Sequence, residues 1–429
     1  MKISASLIVA SITLASTLVS ASPVVAKKNA KSAGAVFFIT NQPEGNQVVS
    51  MSVDTTGKLS FGKAISTQGK GQHGISSPLG PDPLFAQGAV KVSPAVNALV
   101  AVNVCISSPV TLTRATAYAA RHQPGSNTLS MFSIDPKNPT NLKMVGKPAP
   151  TEGEFPMSVA VNKKGSMACV LNGGKVNGVS CFKIDQKHGL VAMKNSQRSL
   201  GLNQTTPATG PAGTTSHVVF SEDGSKLIAS VKGVPPTPGF LATWNIASDG
   251  TLSKQFAKST PSKGGLLPFS MTVIPGKNAI LATDAGIGFD IFDFSKGNTA
   301  SSSIVPINGQ KATCWSSFSP KTGNFYLTDI GTATVTEVHV DSKLKGSIVK
   351  QYPQKAGSGT IDNEIATIGG NDFMYVLGAN ATQIDVLSLK APGKAQKIQT
   401  FELAGPAKAA GIKIDPFNLQ GMTAFVTKK

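Results

Sequence analysis

The chain lacks the motifs that define several large classes of enzymes and binding proteins. No glycine-rich phosphate loop, zinc-ligand spacing or Ser-His-Asp nucleophile motif occurs in its 429 residues, so we predict no metal and no cofactor. After the first 21 residues there is no stretch of about 18 uninterrupted apolar residues, so we expect no membrane-spanning helix. The basic residues form no clustered stripe with interleaved aromatics, which argues against nucleic acid as a partner.

Acidic residues are scarce. The 22 Asp and Glu stand against 40 Lys and Arg, which gives a formal net charge of +18. A strongly basic protein should be attracted to polyanions, acidic glycans or anionic surfaces. The alternative is that dispersed lysines keep a β protein soluble and protect its sheet edges. The 43 Gly and 27 Pro favour many tight turns over long helices.

The N-terminal segment has the organisation of a secretion signal. Lys2 supplies the positive end, Ile3–Val19 the apolar stretch, and Val19-Ser20-Ala21 a cleavage site of small residues. We predict a signal peptide over residues 1–21, with cleavage after Ala26 as the alternative, and a short segment over residues 22–34. The mature protein should then be secreted, either extracellular or in the cell wall.

Two other features suit an extracellular protein. Glycosylation sequons begin at Asn203 and Asn380. Cys169 and Cys181 lie at equal distances from Lys175 in the turn Gly173–Gly178, and in a symmetric hairpin they would face each other across two strands. An oxidising compartment would permit a disulfide between them. The alternative is two buried thiols on neighbouring strands.

A repeating unit of two short strands and a turn dominates the rest of the chain. Repeats of roughly forty to fifty residues, all strand and no helix, are typical of a β-propeller. We predict an all-β, seven-bladed β-propeller over residues 35–429. The blades are expected at about 35–61, 88–145, 156–193, 216–253, 268–307, 313–352 and 362–403. The lone strand Gly421–Val426 should complete the first blade and close the ring.

The second blade contains an insertion, Val104–Gln123. Without it, the flanking residues join to give a sequence that parallels the first blade. One hypothesis is a translated intron, since Val-Cys can encode a donor site and Gln an acceptor site. The alternative is a genuine surface loop, which propellers tolerate. Neither interpretation assigns a function to the segment.

The segments that enter each blade should form the upper face around an axial funnel. Candidate funnel residues on these segments and on the facing strand ends are Glu154, Trp315, Asp284 and Asp362, together with Lys232 and Asp329. Each residue also has a structural explanation. Trp315 could pack in the core, and Lys232 could be a solvated lysine. Asp284 and Asp329 recur at similar places in successive blades, so they could form hydrogen bonds in turns.

Three stretches resemble the fungal branch of the lactonase-type seven-bladed propellers, which includes 6-phosphogluconolactonases and carboxymuconate-cyclising enzymes. They are Leu200–Pro207, His217–Gly224 and Ser317–Gly323. The resemblance extends from about Ala35 to the end, apart from the insertion. It implies a lactonase or cycloisomerase site with His217 as acid–base, Lys232 as anion anchor and Asp329 assisting.

The chain departs from that family at one important place. Where the family has an Arg-His pair, this sequence has Thr313-Cys314-Trp315, and the family's Glu is replaced by Asp329. Lactone chemistry needs a positioned acid–base and cations for the substrate anion. The first hypothesis is therefore a monomer that binds a small anion or acidic glycan with weak or no catalysis. The others are an active lactonase or muconate cycloisomerase, and a cell-wall surface glycoprotein.

Overall fold

The computed structural model describes residues 32–104 and 127–428. The predicted signal peptide, residues 22–31 and the insertion beyond Val104 lie outside the described residues. Within them the chain forms seven antiparallel sheets of four or five strands arranged as a ring. The predicted seven-bladed β-propeller is confirmed. The described residues contain no helix with the length and apolar character needed to cross a membrane.

The strands follow chain order from the first blade to the seventh. Blades 1 to 3 contain β1 (Ser32–Ile39), β2 (Gln47–Asp54), β3 (Leu59–Ser66); β4 (Val90–Ser93), β5 (Ala98–Asn103), β6 (Thr128–Asp135), β7 (Asn138–Met144), β8 (Ala149–Pro150); and β9 (Pro156–Val161), β10 (Met167–Asn172), β11 (Gly178–Asp185), β12 (Gly189–Ala192), β13 (Arg198–Ser199). Blades 4 and 5 contain β14 (Thr215–Phe220), β15 (Lys226–Val231), β16 (Phe240–Asn245), β17 (Ala257–Ser259); and β18 (Pro268–Val273), β19 (Ala279–Asp284), β20 (Gly288–Asp293), β21 (Ser301–Pro306). Blades 6 and 7 contain β22 (Thr313–Ser319), β23 (Asn324–Asp329), β24 (Thr334–Val340), β25 (Gly346–Pro353); and β26 (Thr360–Ile368), β27 (Asn371–Gly378), β28 (Gln383–Leu389), β29 (Ala395–Glu402).

The last strand, β30 (Gln420–Val426), closes the ring as predicted. It pairs antiparallel with β1, with Gly34 opposite Val426 and Phe37 opposite Thr423. It is the innermost strand of the first blade, because it also packs against the inner strands β26 and β4 of the blades on either side. One feature was not predicted, a single-turn helix α1 (Ala404–Ala409) between the seventh blade and β30.

Hydrophobic residues follow the position of each strand in its blade. The middle strands are buried on both faces because neighbouring blades pack against them, so β5 and β28 are buried along their whole length. The outermost strands are largely exposed, as in β25, and carry Ser, Lys and Gln. The largest fully buried side chains, which include Trp244, Trp315 and Tyr326, lie between and within the blades.

We call the end of the ring where the inner strands begin the upper face, and the end where they finish the lower face. The inner strands are β4, β9, β14, β18, β22, β26 and β30. Lower-face turns are closed by Asp side chains that accept backbone N–H bonds, as at Asp54 and Asp223. The inner strands surround an axial channel, which has one end at the upper face and one at the lower face.

Candidate functional site

The upper part of the axial channel is filled by the chain itself. The connection from β3 to β4 contains a segment, Asp82–Gly88, that we call the axial segment. Within it Leu84, Phe85 and Ala86 are buried. The segment bonds to inner strands on opposite sides of the ring, so it crosses the axis. The predicted upper funnel is therefore occupied by backbone.

Hydrogen bonds from four blades hold the axial segment. The carbonyl oxygen of Ala86 accepts from Trp315 Nε1 at 3.2 Å and from Gln420 Nε2 at 2.8 Å. Gln87 donates from Nε2 to the Ser316 carbonyl and accepts the Ser316 N–H at Oε1, at 2.9 and 3.1 Å. The Gly88 carbonyl accepts from Val159 N–H at 2.8 Å. The segment is thus tied to the ring at several independent points.

Lys232 is one of these ties. It lies one residue beyond β15 and is 3% exposed. Its ammonium donates to the carbonyl oxygens of Phe85 (2.8 Å) and Thr215 (3.1 Å) and to Ser216 Oγ (2.6 Å). Burial lowers the pKa of Lys232, while the charge of Asp82 opposes that shift. All three protons of the ammonium are used, so none remains for a ligand.

Asp284 and Asp329 occupy equivalent places at the ends of β19 and β23. The Asp329 carboxylate accepts five hydrogen bonds, of which the shortest come from the N–H groups of Lys311 and Gly331, both at 2.8 Å. The Asp284 carboxylate accepts three backbone N–H bonds, from Leu266, Leu267 and Gly286. Each carboxylate therefore fixes the loop that enters its blade and the turn that follows.

The other upper-face candidates are also engaged. Trp315 is fully buried and packs edge-on against Phe269, with ring centroids 5.1 Å apart. Asp362 Oδ2 accepts from Gln420 Nε2 and from Gly421 N–H, both at 2.7 Å, and burial raises the pKa of Asp362 to about 8. Glu154 Oε2 accepts from Thr206 Oγ1 at 2.5 Å. These contacts attach entering loops and the closing strand to the channel wall.

The cysteine pair and the sequons lie away from the axis. Cys169 and Cys181 are directly opposite in the register of β10 and β11 and are joined by a disulfide. Cys314 is a buried free thiol, and burial raises its pKa. Asn203 and Asn380 are exposed on upper-face connections, which leaves both side chains accessible.

The lower part of the channel is open. A cavity of about 460 Å³ lies where the inner strands of blades 2 to 7 approach the lower face. We call it the lower cavity. Its polar lining comprises Gln87, Lys91, Lys163, His217, Ser221, Glu222, Thr272, Ser316, Ser317, Asn363 and Glu364. Its size falls within the range of small-molecule sites.

His217 is the only one of the three predicted catalytic residues that lines this cavity. Its Nδ1 accepts the N–H of Met271 at 3.0 Å. Burial, reinforced by the charge of Lys91, lowers the pKa of His217 to about 3. The ring is therefore neutral, with its proton on Nε2, which has no hydrogen-bond partner among the described residues. His217 presents a hydrogen-bond donor, and its other nitrogen is not free to take a proton.

The acidic and basic side chains of the lower cavity differ in how far they are bonded to the protein. Glu222 Oε2 accepts from Gly276 N–H at 2.8 Å, and Glu364 accepts from Ile365 N–H at 3.2 Å. Lys91 meets Glu364 at 3.6 Å with its side chain 44% exposed, and Lys163 has no ion-pair or hydrogen-bond partner for its ammonium among residues 32–104 and 127–428. The acids are bonded to the protein, whereas the cations are largely available.

Two buried polar atoms of the lower cavity also lack a partner among the described residues. They are Ser317 Oγ and Asn363 Oδ1, although Asn363 Nδ2 donates to Thr328 Oγ1 at 3.0 Å. Buried polar atoms in proteins are nearly always bonded to protein, water or ligand. Both residues line the lower cavity, so these two atoms are candidate partners for a molecule bound there.

The structure does not bring His217, Lys232 and Asp329 into one cavity. Lys232 and Asp329 hold upper-face backbone, and His217 faces the lower cavity. Sequence reasoning missed the axial segment and the lower cavity residues Lys91, Ser317 and Asn363. One available signal was the stretch 67–89, which has no strand pattern yet ends in the apolar run Leu84–Ala86. Within the described part of the chain, no group of three or more His, Cys, Asp or Glu side chains could hold a metal ion.

Lactonase-type propellers of known structure share this fold. A periplasmic gluconolactonase from Pseudomonas aeruginosa aligns with a TM-score of 0.62 and 14% identity, over 92% of this chain and 99% of that one. A Bacteroides uniformis protein described as a 6-phosphogluconolactonase aligns with a TM-score of 0.61 and 14% identity, over 86% and 97% of the two chains. A Bacteroides fragilis protein of the same description gives 0.58 and 14%, over 92% and 98%.

The structural likeness establishes the lactonase-like fold and, at this identity, nothing about activity. No protein-family model matches the chain, and no curated protein matches it in sequence. The part of the predicted resemblance that concerns 6-phosphogluconolactonase-like propellers is confirmed at the level of fold. Its fungal and carboxymuconate-cyclising parts stay predictions.

Proposed function

We propose that this protein is a secreted lactonase-like propeller that binds a small hydroxylated carboxylate in its lower cavity and catalyses no lactone reaction. The observation that carries the proposal is the unequal satisfaction of the cavity's charges. Glu222 and Glu364 are bonded to backbone N–H groups, whereas within the described part of the chain Lys163 is unpaired and Lys91 has only a long ion pair. The ammonium of Lys163 is therefore available to bind an anion, and that of Lys91 could exchange a long ion pair for a closer contact.

Hydroxyl groups on the ligand suit the neutral groups of the same cavity. His217 Nε2–H can donate, Asn363 Oδ1 can accept, and Ser317 Oγ can do either. A hydroxyl both donates and accepts, so a polyhydroxylated acid matches this mixture better than an apolar acid does. The ligand class is thus a sugar acid or a compound of the same chemistry.

The bonding of the candidate residues supports the non-catalytic part of the proposal. A general base needs a free lone pair, but the Nδ1 lone pair of His217 accepts the Met271 N–H. An anion anchor needs free donors, but Lys232 donates all its protons to the protein. The fold likeness to a gluconolactonase favours the rival function, a lactonase that works in the same cavity.

The binding test is calorimetry of the recombinant mature protein with D-galacturonate as the probe, comparing wild type with Ser317→Ala. Because Ser317 Oγ has no partner among the described residues, its loss should leave folding stability unchanged and weaken binding by about fivefold, the contribution of one hydrogen bond. Thr243→Val is the matched control, since Thr243 Oγ1 is equally buried and unpartnered but lies outside the cavity. Equal affinity in wild type and Ser317→Ala would refute this site.

The catalytic rival is tested separately with a panel of sugar lactones and muconates. We expect no hydrolysis or cyclisation above the rate in buffer. Turnover by the wild type that His217→Ala abolishes would establish the enzyme and overturn the non-catalytic proposal. Turnover that His217→Ala leaves unchanged would also overturn it, and would place the chemistry elsewhere.

A further inference from the structure

The lower cavity has two opposite walls of different character. Blades 7 and 2 contribute polar and charged residues to it, Asn363 and Glu364 from β26 and Lys91 from β4. Blades 4 and 5 contribute mainly apolar residues, which are Val218, Val219, Phe220, Met271, Val273 and Pro275. Blades 3 and 6 contribute both kinds. Blade 1 lies between blades 7 and 2, and the blades opposite it in a ring of seven are 4 and 5, so the polar wall faces the apolar wall across the axis.

The apolar wall is only partly covered by the protein. Val219, Phe220 and Val273 are half-buried, in contrast to the buried Val218 and Met271. Val219 and Val273 pack against the hydrophobic cluster between blades 4 and 5, and both also line the cavity. Part of their surface therefore faces the cavity, where contact with an apolar group would be favourable in proportion to the area removed from water.

The polar groups on the apolar wall are largely bonded within the protein. Ser221 Oγ donates to Asp223 Oδ1 at 2.6 Å. Thr272 Oγ1 and Ser316 Oγ are hydrogen-bonded to each other at 2.7 Å. A polar ligand group placed against this wall would therefore gain little, apart from the bond that His217 Nε2 can donate.

The apolar surface of blades 4 and 5 continues outside the lower cavity. A crevice of about 420 Å³ lies between these two blades at the lower face, and Val273 lines both spaces. The lining of the crevice includes the buried side chains of Ile228, Ile280 and Phe294, together with the charged residues Glu222, Asp223 and Lys277. The apolar area on this side of the axis is therefore larger than the lower cavity alone provides.

We infer that the ligand of the lower cavity is a sugar acid that carries an apolar aglycone. The acid lies against the wall of blades 7 and 2, and the aglycone lies against the wall of blades 4 and 5. The inference rests on the proposed function, which supplies the sugar acid. A free sugar acid has a hydroxyl group on almost every carbon, so it would leave apolar surface of Val219 and Val273 uncovered. An apolar group linked to the sugar covers that surface and keeps the polar contacts.

The test compares four probes by calorimetry: galacturonate, its methyl β-glycoside, its phenyl β-glycoside, and phenyl β-galactoside, which lacks the carboxylate. We expect the phenyl glycoside of galacturonate to bind about tenfold more tightly than the methyl glycoside, because the phenyl ring buries more apolar surface. Its binding should also show the more negative heat-capacity change, which reports that burial. Phenyl β-galactoside should bind more weakly, because it offers no anion to Lys91 and Lys163.

Val219→Thr and Val273→Thr, each made alone, test the apolar wall. Threonine keeps the branched shape and the strand preference of valine but replaces a methyl group with a hydroxyl. Each substitution should reduce the advantage of the phenyl glycoside by about threefold. Each should leave the affinity for galacturonate unchanged, which also shows that the variant is folded. The control Val191→Thr alters an exposed valine of blade 3 outside the lining of the cavity and should change neither affinity.

Other results would overturn the inference, and they separate it from the proposed function. Equal affinity for the methyl and phenyl glycosides, with galacturonate binding that Ser317→Ala weakens, refutes the aglycone alone. A phenyl advantage that survives both valine substitutions places the ring elsewhere and also refutes it. Tight binding of phenyl β-galactoside without binding of galacturonate refutes the sugar acid, and with it both the proposed function and the inference that rests on it.

Discussion

The two ends of the axial channel differ in how their polar groups are bonded. At the upper end, Lys232, Asp284 and Asp329 form hydrogen bonds with backbone groups and hydroxyl groups of the protein itself. At the lower end, Lys163, Ser317 and His217 Nε2 have no partner within the described residues. A titratable residue at a funnel position therefore indicates a binding site only when it has hydrogen-bond donors or acceptors that the protein does not use. This difference supports the lower end as the candidate site, while at the upper end Asp362 Oδ1 is a buried oxygen without a partner among the described residues.

The largest expected effect comes from Lys232→Met. The substitution keeps the length of the side chain but leaves three buried acceptors without a donor and removes the charge opposite Asp82. Breaking a buried, hydrogen-bonded charge costs about 3–5 kcal/mol, so the unfolding free energy in urea should fall by that order. The exposed Lys254→Met serves as the control and should be nearly neutral. A stable Lys232→Met variant would show that the axial segment is not held by this residue.

Gly88→Ala should have the next largest effect, because it lies where the two ends of the channel meet. Gly88 has φ +87°, and an added Cβ would lie 2.9 Å from Ser158 Oγ and 3.2 Å from the His217 ring. We expect a loss of about 2 kcal/mol, of which about 1 kcal/mol reflects the backbone conformation alone. Gly323→Ala, with φ +68° and no atom near its Cβ, measures that backbone share. Equal losses in urea unfolding would argue against close packing at Gly88.

Asp290→Asn tests the protonation of a buried carboxyl group at the upper end through the pH dependence of stability. Burial and the neighbouring Asp284 raise the pKa of Asp290 to about 9, so the folded protein keeps a proton that the unfolded chain releases near pH 4. Stability should therefore fall as pH rises from about 4 to about 9. The Asn side chain has no such proton, so the Asp290→Asn variant should be more stable than the wild type at pH 8 but not at pH 4.

The control for that measurement is Asp223→Asn, where the sign reverses. Hydrogen bonds from Ser221 and Ser225 lower the pKa of Asp223 to about 2. Its stabilisation is present above the unfolded pKa, near 4, and is lost as pH falls towards 2. The midpoint of thermal unfolding should thus drop for Asp223→Asn at pH 7. If both variants gave the same pH trend, the assigned protonation of Asp290 would be wrong.

The smallest effect on stability should come from Lys91→Gln at the lower end. Its ion pair with Glu364 is long and partly exposed, at 3.6 Å with side-chain exposures of 44% and 22%. Such pairs contribute about 0–1 kcal/mol, so urea unfolding should barely change, while calorimetry should show weaker galacturonate binding. Marked destabilisation would mean that the lower end, like the upper, is built for structure.

The fold was predictable because each blade repeats the same constraints. Strand-length apolar runs separated by glycine and aspartate turns recur at nearly constant spacing, and the unpartnered strand Gly421–Val426 had one open place to pair. The hairpin symmetry about Lys175 likewise aligned Cys169 with Cys181. Local pattern and tertiary pairing agree at these positions, so sequence alone was sufficient.

The site was less predictable because it depends on which groups are already bonded. The axial segment has no periodic pattern, and its place is set by distant residues such as Trp315 and Gln420. Nothing in the sequence around Lys232 shows that three acceptors from two segments surround its ammonium. The side of the ring that His217 faces depends on the same packing. These features depend on contacts between residues that are distant in the sequence, and no local sequence pattern indicates them.

The pairing of β30 with β1 has a consequence for biosynthesis. Gly34 and Val426 are partners, although almost the entire polypeptide separates them. The first blade emerges from the ribosome without its innermost strand, and Gln420, which helps to hold the axial segment, is also still to come. Such distant contacts slow folding, and the inner edge of β1 stays unpaired until β30 has been synthesised.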